Sequence, residues 1–292
     1  MPAQLPYDSR LEALIHPGEQ PCVFQSGTQP ELAPSRELLA SECSRLAYLL
    51  FESDRAEEGR LRSSLARVGF NLVAVFNDVK TGSQAFAALR AMDNDGGAMA
   101  LVAFRGTEPK RVLDWVADLL VWFTPWPPGG RVHRGFARAV RPLIDPIAAW
   151  LAANTPADCH LLVTGHSLGA ALATLAATCW PRAELVTIGS PKVGDAAFAA
   201  LLAPQKCTRI VDGKDLVTEL PPGWLLPYVH VGELIQIAAD GSTSRDASAV
   251  GHRPGWGEAM VAAGRRLMQL GLPLPRRLTD HSPINYVRAF LP

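Results

Sequence analysis

The chain has 292 residues, 48% of them hydrophobic, and its 28 basic and 28 acidic residues leave a net charge of +0. A chain of this length can bury a large core in one α/β domain, so we expect a single domain over residues 1–292. The balanced charge gives no sign of a nucleic-acid partner. No apolar run reaches the about 18 residues that a membrane helix needs, so no transmembrane segment is expected.

The cysteines and the N-terminus bear on cofactors and location. Five scattered cysteines, an odd number, predict neither a metal site nor a full disulfide framework, and no metal-ligand spacing or phosphate loop points to a cofactor. Cys159 and Cys179 stand at the edges of apolar runs and are expected to be buried thiols. The first residues lack the basic start and apolar core of a signal peptide, so a cytoplasmic location is the default expectation. A dedicated export route or a removed leader stays open.

The first third of the chain predicts two helices and an antiparallel sheet edge. Residues 1–34 are rich in proline and polar residues and are predicted to wrap the surface. Apolar residues at helical spacing from Ser35 to Phe51, Leu50 among them, predict a helix capped by Ser35. The charged residues 53–68 suggest a second short helix. Short apolar runs joined by glycine-containing turns predict antiparallel strands at 72–76, 85–89 and 99–104.

From residue 132 onward, predicted strands alternate with predicted helices. This alternation indicates right-handed crossovers and a mostly parallel central sheet with helices on both faces, which is an α/β fold. The predicted strands are at 159–164, 184–188, 208–211 and 229–237, the last with a possible hairpin at Asp240-Gly241. The predicted helices are at 136–153, 170–176, 195–203, 258–270 and 283–291.

Between the strand at 159–164 and the helix at 170–176 stands Gly165-His166-Ser167-Leu168-Gly169, which fits the pattern Gly-x-Ser-x-Gly. A sharp strand-to-helix turn with this pattern holds its serine in a strained conformation with the hydroxyl exposed. The start of the helix supplies free N–H groups that suit a developing oxyanion. The pattern predicts a nucleophile at Ser167, and the alternative is a turn without chemistry.

A serine nucleophile needs a base within hydrogen-bond reach and a group that orients the base. After such a turn the partners follow in the order serine, acid, histidine. The candidate acids are Asp212, Asp215 and Glu219, and the candidate histidines are His230, His252 and His281. The residues alone leave both choices open.

A series of short motifs runs in order between about residues 70 and 290. They are Phe104-Arg105-Gly106-Thr107, Asp114-Trp115, Val132-His133-x-Gly135-Phe136, Gly165-His166-Ser167-Leu168-Gly169-Ala170, Gly189-Ser190-Pro191-x-Val193-Gly194, Asp215-Leu216-Val217 with Leu220-Pro221-Pro222, and Asp280-His281 with Tyr286. In these motifs and their order the chain resembles the fungal-type, class 3 lipases of the α/β-hydrolase superfamily. The resemblance implies the α/β-hydrolase fold.

The resemblance also implies roles for individual residues. Ser167 matches the nucleophile, Asp215 the acid and His281 the general base. Thr218 stands where the family has a proline, so Asp212 is kept as a rival acid.

Two further features concern the oxyanion and access to the site. Thr107, through its hydroxyl and backbone N–H, and Leu168, through its backbone N–H, match the oxyanion donors of the family. Residues 108–128 carry more apolar side chains than a solvated loop should. Prolines there make a continuous core helix an unfavourable interpretation. We therefore predict a lid at about 108–128, with a fixed packing segment as the alternative.

The resemblance implies hydrolysis of carboxylic esters, foremost acylglycerol esters, through a Ser-Asp-His triad and an acyl-enzyme. Its implied partners are a lipid or other ester substrate and, transiently, a lipid–water interface. Three alternatives stay open: a phospholipase, an esterase for aryl or feruloyl esters, and a catalytically silent binding protein on the same fold.

Overall fold

The computed structural model describes residues 5–25, 34–91, 97–106, 122–221, 226–245 and 275–292. Within these residues the α-helices are α1 (Leu11–Ile15), α2 (Arg36–Leu46), α3 (Arg55–Ala66), α4 (Arg134–Asn154), α5 (Leu168–Ala177), α6 (Ala196–Ala200), α7 (Arg276–Thr279) and α8 (Pro283–Arg288). The strands are β1 (Leu72–Asp78), β2 (Ser83–Arg90), β3 (Met99–Phe104), β4 (Phe123–Pro125), β5 (Arg131–His133), β6 (His160–His166), β7 (Glu184–Ile188), β8 (Cys207–Asp212), β9 (Glu233–Ile237) and β10 (Thr243–Ser244). The predicted helix at 258–270 lies outside the described residues.

The strands form an eight-stranded sheet in the order β1-β2-β3-β6-β7-β8-β9-β10. Strands β1 to β3 pair antiparallel, as their short glycine turns predict. From β3 through β9 every pairing is parallel, and β10 closes the predicted hairpin antiparallel to β9. The predicted mostly parallel centre is therefore confirmed, and it places the carboxyl ends of β3, β6, β7 and β8 at one edge.

Helices cover both faces of this sheet because its central strands are apolar on both sides. All residues of β3 are buried, and they alternate between two clusters. Ala100, Val102 and Phe104 face one cluster, to which α4 and α5 contribute, whereas Met99, Leu101 and Ala103 face the other, to which α2 and α3 contribute. The prediction of helices on both faces is confirmed.

Helix α2 confirms the predicted cap but ends earlier than predicted. The Ser35 hydroxyl accepts a hydrogen bond from the Leu38 N–H at 3.1 Å, which satisfies a donor at the helix start. The chain leaves the helix after Leu46, and Tyr48 then turns toward the sheet. Leu50, predicted to lie on the apolar face of this helix, lies beyond its end and is 47% exposed. The prediction that the helix continues past Leu50 was therefore wrong, since the helix ends at Leu46.

The described part of the N-terminal segment is anchored to the body of the fold. Arg45 is fully buried, pairs with Glu42 at 2.6 Å and donates to the carbonyl oxygen of Pro17 at 2.7 Å. Ser282 donates to the carbonyl of Ala13 at 2.8 Å. Residues 5–25 therefore pack against both α2 and the start of α8.

The five cysteines all lie in the described residues and are free thiols. Cys43 and Cys207 are buried, Cys159 is half-buried and Cys179 is exposed. The expectation of a buried thiol was wrong for Cys179, because α5 ends before it and the chain turns outward. Within the described residues, none of the helices combines the length and apolar character needed to cross a bilayer.

Candidate active site

Ser167 occupies the tight turn between β6 and α5. Its φ of 59° and ψ of −125° make it the one non-glycine residue with positive φ among those described. Such a conformation costs energy and persists only where the surroundings impose it. Here the Ser167 N–H donates to the carbonyl of Ile188 at 3.0 Å, which ties the turn to the end of β7.

The two glycines of the motif allow close approach of backbone segments. A Cβ on Gly165 would collide with the backbone of Gly169. A Cβ on Gly169 would collide with the carbonyl oxygen of Phe104 at the end of β3. The start of α5 therefore rests directly on β6 and β3, which only glycine permits.

The structure brings Ser167, His281 and Asp215 together. His281, in the turn between α7 and α8, places Nε2 at 2.9 Å from Oγ of Ser167. Its Nδ1 lies 2.7 Å from Oδ2 of Asp215. All three side chains are almost fully buried. This arrangement of a hydroxyl, an imidazole and a carboxylate can transfer the serine proton to the imidazole and stabilise the resulting cation.

Two further donors hold the Asp215 carboxylate. Its Oδ1 accepts from the Val217 N–H at 2.9 Å, at the start of the short 3₁₀ helix Leu216–Glu219. Its Oδ2 accepts from the Tyr286 hydroxyl at 2.5 Å. Burial raises the pKa of Tyr286 well above its ordinary value, so the phenol keeps its proton. Tyr286 appeared in the sequence only as part of a motif, and the structure shows what it touches.

The rival acids lie elsewhere. Asp212, at the end of β8, is buried, and its Oδ2 makes no hydrogen bond. Burial, and next the negative charge of Asp280, raises the pKa of Asp212 to about 8. Glu219 is exposed and pairs with Arg277. Of the three candidates, Asp215 is the one that faces the imidazole of His281.

His166 lies beneath the turn. Its Nε2 is 2.9 Å from the carbonyl oxygen of His281 and its Nδ1 is 2.8 Å from the Tyr48 hydroxyl. Because a carbonyl only accepts, Nε2 carries the hydrogen and Nδ1 accepts from Tyr48. Burial lowers the pKa of His166 well below its ordinary value, and the ring stays neutral. No sequence pattern pointed to Tyr48.

Among the described residues, the other histidines do not join the triad. His133 accepts from the N–H groups of Gly135 and Phe136 at 3.2 and 3.4 Å and so caps α4. Burial lowers its pKa to about 4, so the ring is neutral near neutral pH and can accept these hydrogen bonds. His230 lies before β9, and His252 is outside the described residues.

The predicted oxyanion donors can be placed only in part. Leu168 is the first residue of α5, so its N–H has no partner within the helix and is next to the Ser167 side chain. Thr107 lies outside the described residues. Gly106, just before it, packs so closely that a Cβ there would collide with the Tyr48 hydroxyl.

The predicted lid at about 108–128 falls within the described residues only from Trp122 onward. Residues 108–121 lie outside the described part of the chain. Beyond them, β4 pairs with β5, and Trp126 is 4% exposed and donates through Nε1 to Thr178 Oγ1 at 2.9 Å. The Trp126 ring is buried in the core on the face of α4 and α5. Trp122, by contrast, is 76% exposed.

The sheet is mostly parallel and has helices on both faces, and Ser167 lies on a strained turn after β6. An acid and a histidine follow the serine in that order. These features define an α/β-hydrolase. The family model described as "Lipase (class 3)" matches residues 101–224. Over these residues, which are less than half of the chain, the protein is similar to the class 3 lipases.

Several curated proteins are similar to parts of this chain. A lipase of Rhizomucor miehei is 32% identical over 172 residues, which cover 53% of this chain and 47% of the relative. A secreted mono- and diacylglycerol lipase A of Penicillium cyclopium is 38% identical over 154 residues, or 48% of each chain. The chloroplastic phospholipase A(1) DAD1 of Arabidopsis thaliana is 33% identical over 150 residues, 41% of this chain and 33% of the relative. The chain thus spans less than half the length of these relatives.

Solved structures support the fold. The mono- and diacylglycerol lipase of Aspergillus oryzae superposes with a TM-score of 0.60 at 23% identity, covering 85% of this chain and 96% of that one. The R. miehei triacylglyceride lipase gives a TM-score of 0.55 at 24% identity, over 73% and 82% of the two chains.

Proposed function

We propose that the protein is a serine hydrolase of carboxylic esters that cleaves acylglycerols through an acyl-enzyme. The observation that carries this proposal is the position of the His281 ring, with one nitrogen 2.9 Å from Ser167 Oγ and the other 2.7 Å from Asp215. Support for the substrate class comes from the relatives described as lipases and as mono- and diacylglycerol lipases.

The chemistry follows from these contacts. Ser167 Oγ attacks the acyl carbonyl carbon while His281 Nε2 takes its proton, and the Leu168 N–H and, by resemblance, Thr107 stabilise the oxyanion. His281 then returns the proton to the leaving alcohol. Water, deprotonated by His281, attacks the acyl-enzyme and releases the acid. Asp215 holds the imidazole in the tautomer with hydrogen on Nδ1 and stabilises its cation.

A second candidate is a phospholipase, which the similarity to the Arabidopsis phospholipase A(1) favours. Both activities require transient contact of the protein with a lipid–water interface. They share the acyl-transfer chemistry and differ in the group that leaves.

The experiment is a hydrolysis screen across p-nitrophenyl esters, di- and triacylglycerols, phospholipids and feruloyl esters, combined with fluorophosphonate labelling. We expect labelling at Ser167 and release of fatty acid from acylglycerols. Ser167→Ala should abolish labelling and lower kcat by about 10⁴–10⁶-fold. Ser64→Ala is the matched control, since Ser64 is also a buried serine but lies in α3.

Each outcome separates the alternatives. Fatty acid released mainly from phospholipids would favour the phospholipase, and turnover confined to aryl or feruloyl esters would favour the esterase. A folded protein that is neither labelled nor active would favour a binding protein. Near-normal turnover by folded Ser167→Ala would contradict the proposed chemistry.

A further inference from the structure

Asp280 connects the neighbours of two triad residues. It directly precedes His281, is 3% exposed, and accepts through Oδ2 from the Lys214 N–H at 2.9 Å. Lys214 in turn directly precedes Asp215. The Asp280–Lys214 bond therefore runs beside the His281–Asp215 bond and joins the same two loops one residue earlier.

The backbone of the acid loop is shaped around this carboxylate. Gly213, between Asp212 and Lys214, has a φ of +48°, and a Cβ there would collide with Asp280 Oδ2. Only glycine lets the turn after β8 approach the carboxylate this closely. A shift of Asp280 would therefore be transmitted directly to the loop that carries Asp215.

The other carboxylate oxygen of Asp280 is held from the N-terminal segment. The Tyr7 hydroxyl donates to Oδ1 at 2.8 Å and lies 2.7 Å from Thr279 Oγ1. Arg276 also faces Oδ1 at 3.5 Å and stacks over the Tyr7 ring at 4.6 Å. Tyr7 and Asp280 are 273 positions apart, and both lie outside residues 101–224, which match the family model.

Two carboxyl groups, those of Asp212 and Asp280, lie behind the triad, and they differ in their hydrogen bonds. Asp212 lies beside Asp280, and its raised pKa of about 8 keeps it protonated near neutral pH. Arg276 and Arg288 face the same cluster and oppose that shift. Asp280 is thus the member whose two oxygens both accept hydrogen bonds from other segments of the chain.

We propose that Asp280 is a positioning residue that sets the distance between the Asp215 loop and His281, and that Tyr7 holds Asp280 in place. This inference rests on the proposed function of the triad. Asp280 touches neither Ser167 nor the position of a substrate, so it acts through His281 and Asp215. Misplacement of the base by a fraction of an ångström slows proton transfer without weakening substrate binding.

The test uses kcat and KM for a water-soluble short-chain p-nitrophenyl ester, normalised to folded protein. Asp280→Ala should lower kcat by about 10–100-fold with KM changed by less than about twofold. Asp280→Asn keeps an acceptor for the Lys214 N–H and should retain more activity. Tyr7→Phe should lower kcat less than Asp280→Ala does, and should have no further effect in the Asp280→Ala background, because its contribution passes through that carboxylate.

Asp195→Asn is the matched control. Asp195 is also a buried carboxylate that accepts from backbone N–H groups, those of Phe198 and Arg131, but it lies at the start of α6. It should change the unfolding midpoint and leave kcat at the wild-type value.

Two results would overturn the proposal. One is a wild-type kcat for Asp280→Ala. The other is an equal loss of kcat from Tyr7→Phe in the wild-type and Asp280→Ala backgrounds, which would show that Tyr7 does not act through Asp280. If Asp280→Ala does not fold, wild-type kcat values in the conservative variants Asp280→Asn and Tyr7→Phe overturn it. Failure of the proposed function is recognised separately, by turnover in Ser167→Ala.

Discussion

The Tyr286 hydroxyl donates to Asp215 Oδ2 at 2.5 Å, and the same oxygen faces His281 Nδ1 at 2.7 Å. One carboxylate oxygen therefore accepts two hydrogen bonds, while the other accepts the Val217 N–H. Three donors fix the plane of the carboxylate, which in turn fixes the ring of His281. The acid is oriented by the C-terminal helix α8 as well as by its own loop.

Tyr286→Phe should lower kcat by about 10–100-fold, because a hydrogen bond to a charged group contributes roughly 1.5–3 kcal/mol. The ring is fully buried and phenylalanine fills nearly the same volume, so packing is preserved. Steady-state kinetics and thermal unfolding of the same preparations check this. A lower unfolding temperature with an unchanged kcat would limit Tyr286 to a structural role.

A second prediction compares two aspartates three residues apart. Asp215→Asn should lower kcat by up to about 10⁴-fold, since an amide leaves the histidine in the wrong tautomer. Asp212→Asn should keep most of the activity, because Asp212 does not face His281 and is already uncharged near neutral pH. Both variants preserve side-chain shape, so each is a control for the other. Greater damage from Asp212→Asn would reverse the assignment of the acid.

The pH dependence of stability provides a third prediction. The folded protein keeps Asp212 protonated up to about pH 8, whereas the carboxyl in the unfolded chain ionises near its ordinary pKa of 3.8. Between these values the folded state binds more protons, so this group makes stability fall as pH rises. A single group contributes a slope of at most about 1.4 kcal/mol per pH unit.

Asp212→Asn removes that titration. Between about pH 4 and about pH 8, the free energy of unfolding measured with denaturant should therefore fall less for Asp212→Asn than for the wild type. Asp195→Asn should keep the wild-type fall, since it leaves Asp212 in place. Identical pH curves for wild type and Asp212→Asn would show that the folded state does not hold that proton.

Local patterns made the turn at Ser167 and the parallel sheet predictable. The glycines, the serine and the flanking apolar runs lie within about twenty consecutive residues, and strand-helix alternation determines the crossovers. The choice between Asp212 and Asp215 was beyond such patterns, because both follow the same strand. Their directions depend on the turn at Gly213, and the family resemblance was needed to prefer Asp215.

Other features depend on contacts between distant parts of the chain. Tyr7 meets Asp280 across 273 positions and Tyr48 meets His166 across 118, and no periodicity reports such pairs. The end of α2 at Leu46 was missed as well, because the apolar spacing continues beyond it to Leu50. The segment 108–128 has the composition expected of a lid, and only the burial of Trp126 shows that this residue belongs to the core.

The last prediction separates Trp126 from Trp122, the two described tryptophans of the predicted lid. Trp126 is 4% exposed and hydrogen-bonded to Thr178, so Trp126→Ala should destabilise the fold by about 3–5 kcal/mol. Trp122 is 76% exposed, and Trp122→Ala should change stability by no more than about 0.5 kcal/mol. Denaturant unfolding of the two variants measures this difference.

Trp122, an exposed indole within the predicted lid, should contact lipid rather than the protein core, since tryptophan favours the boundary between water and apolar phases. With an acylglycerol ester titrated through its solubility limit, the wild-type rate should rise as droplets form. That rise should be blunted in Trp122→Ala, with unchanged turnover of monomeric substrate. An equal loss of rate by Trp122→Ala below and above the solubility limit of the ester would place Trp122 in the substrate site itself. The same measurement on Trp115→Ala tests the predicted lid at about 108–128, where a smooth saturation curve identical to that of the wild type would contradict a lid.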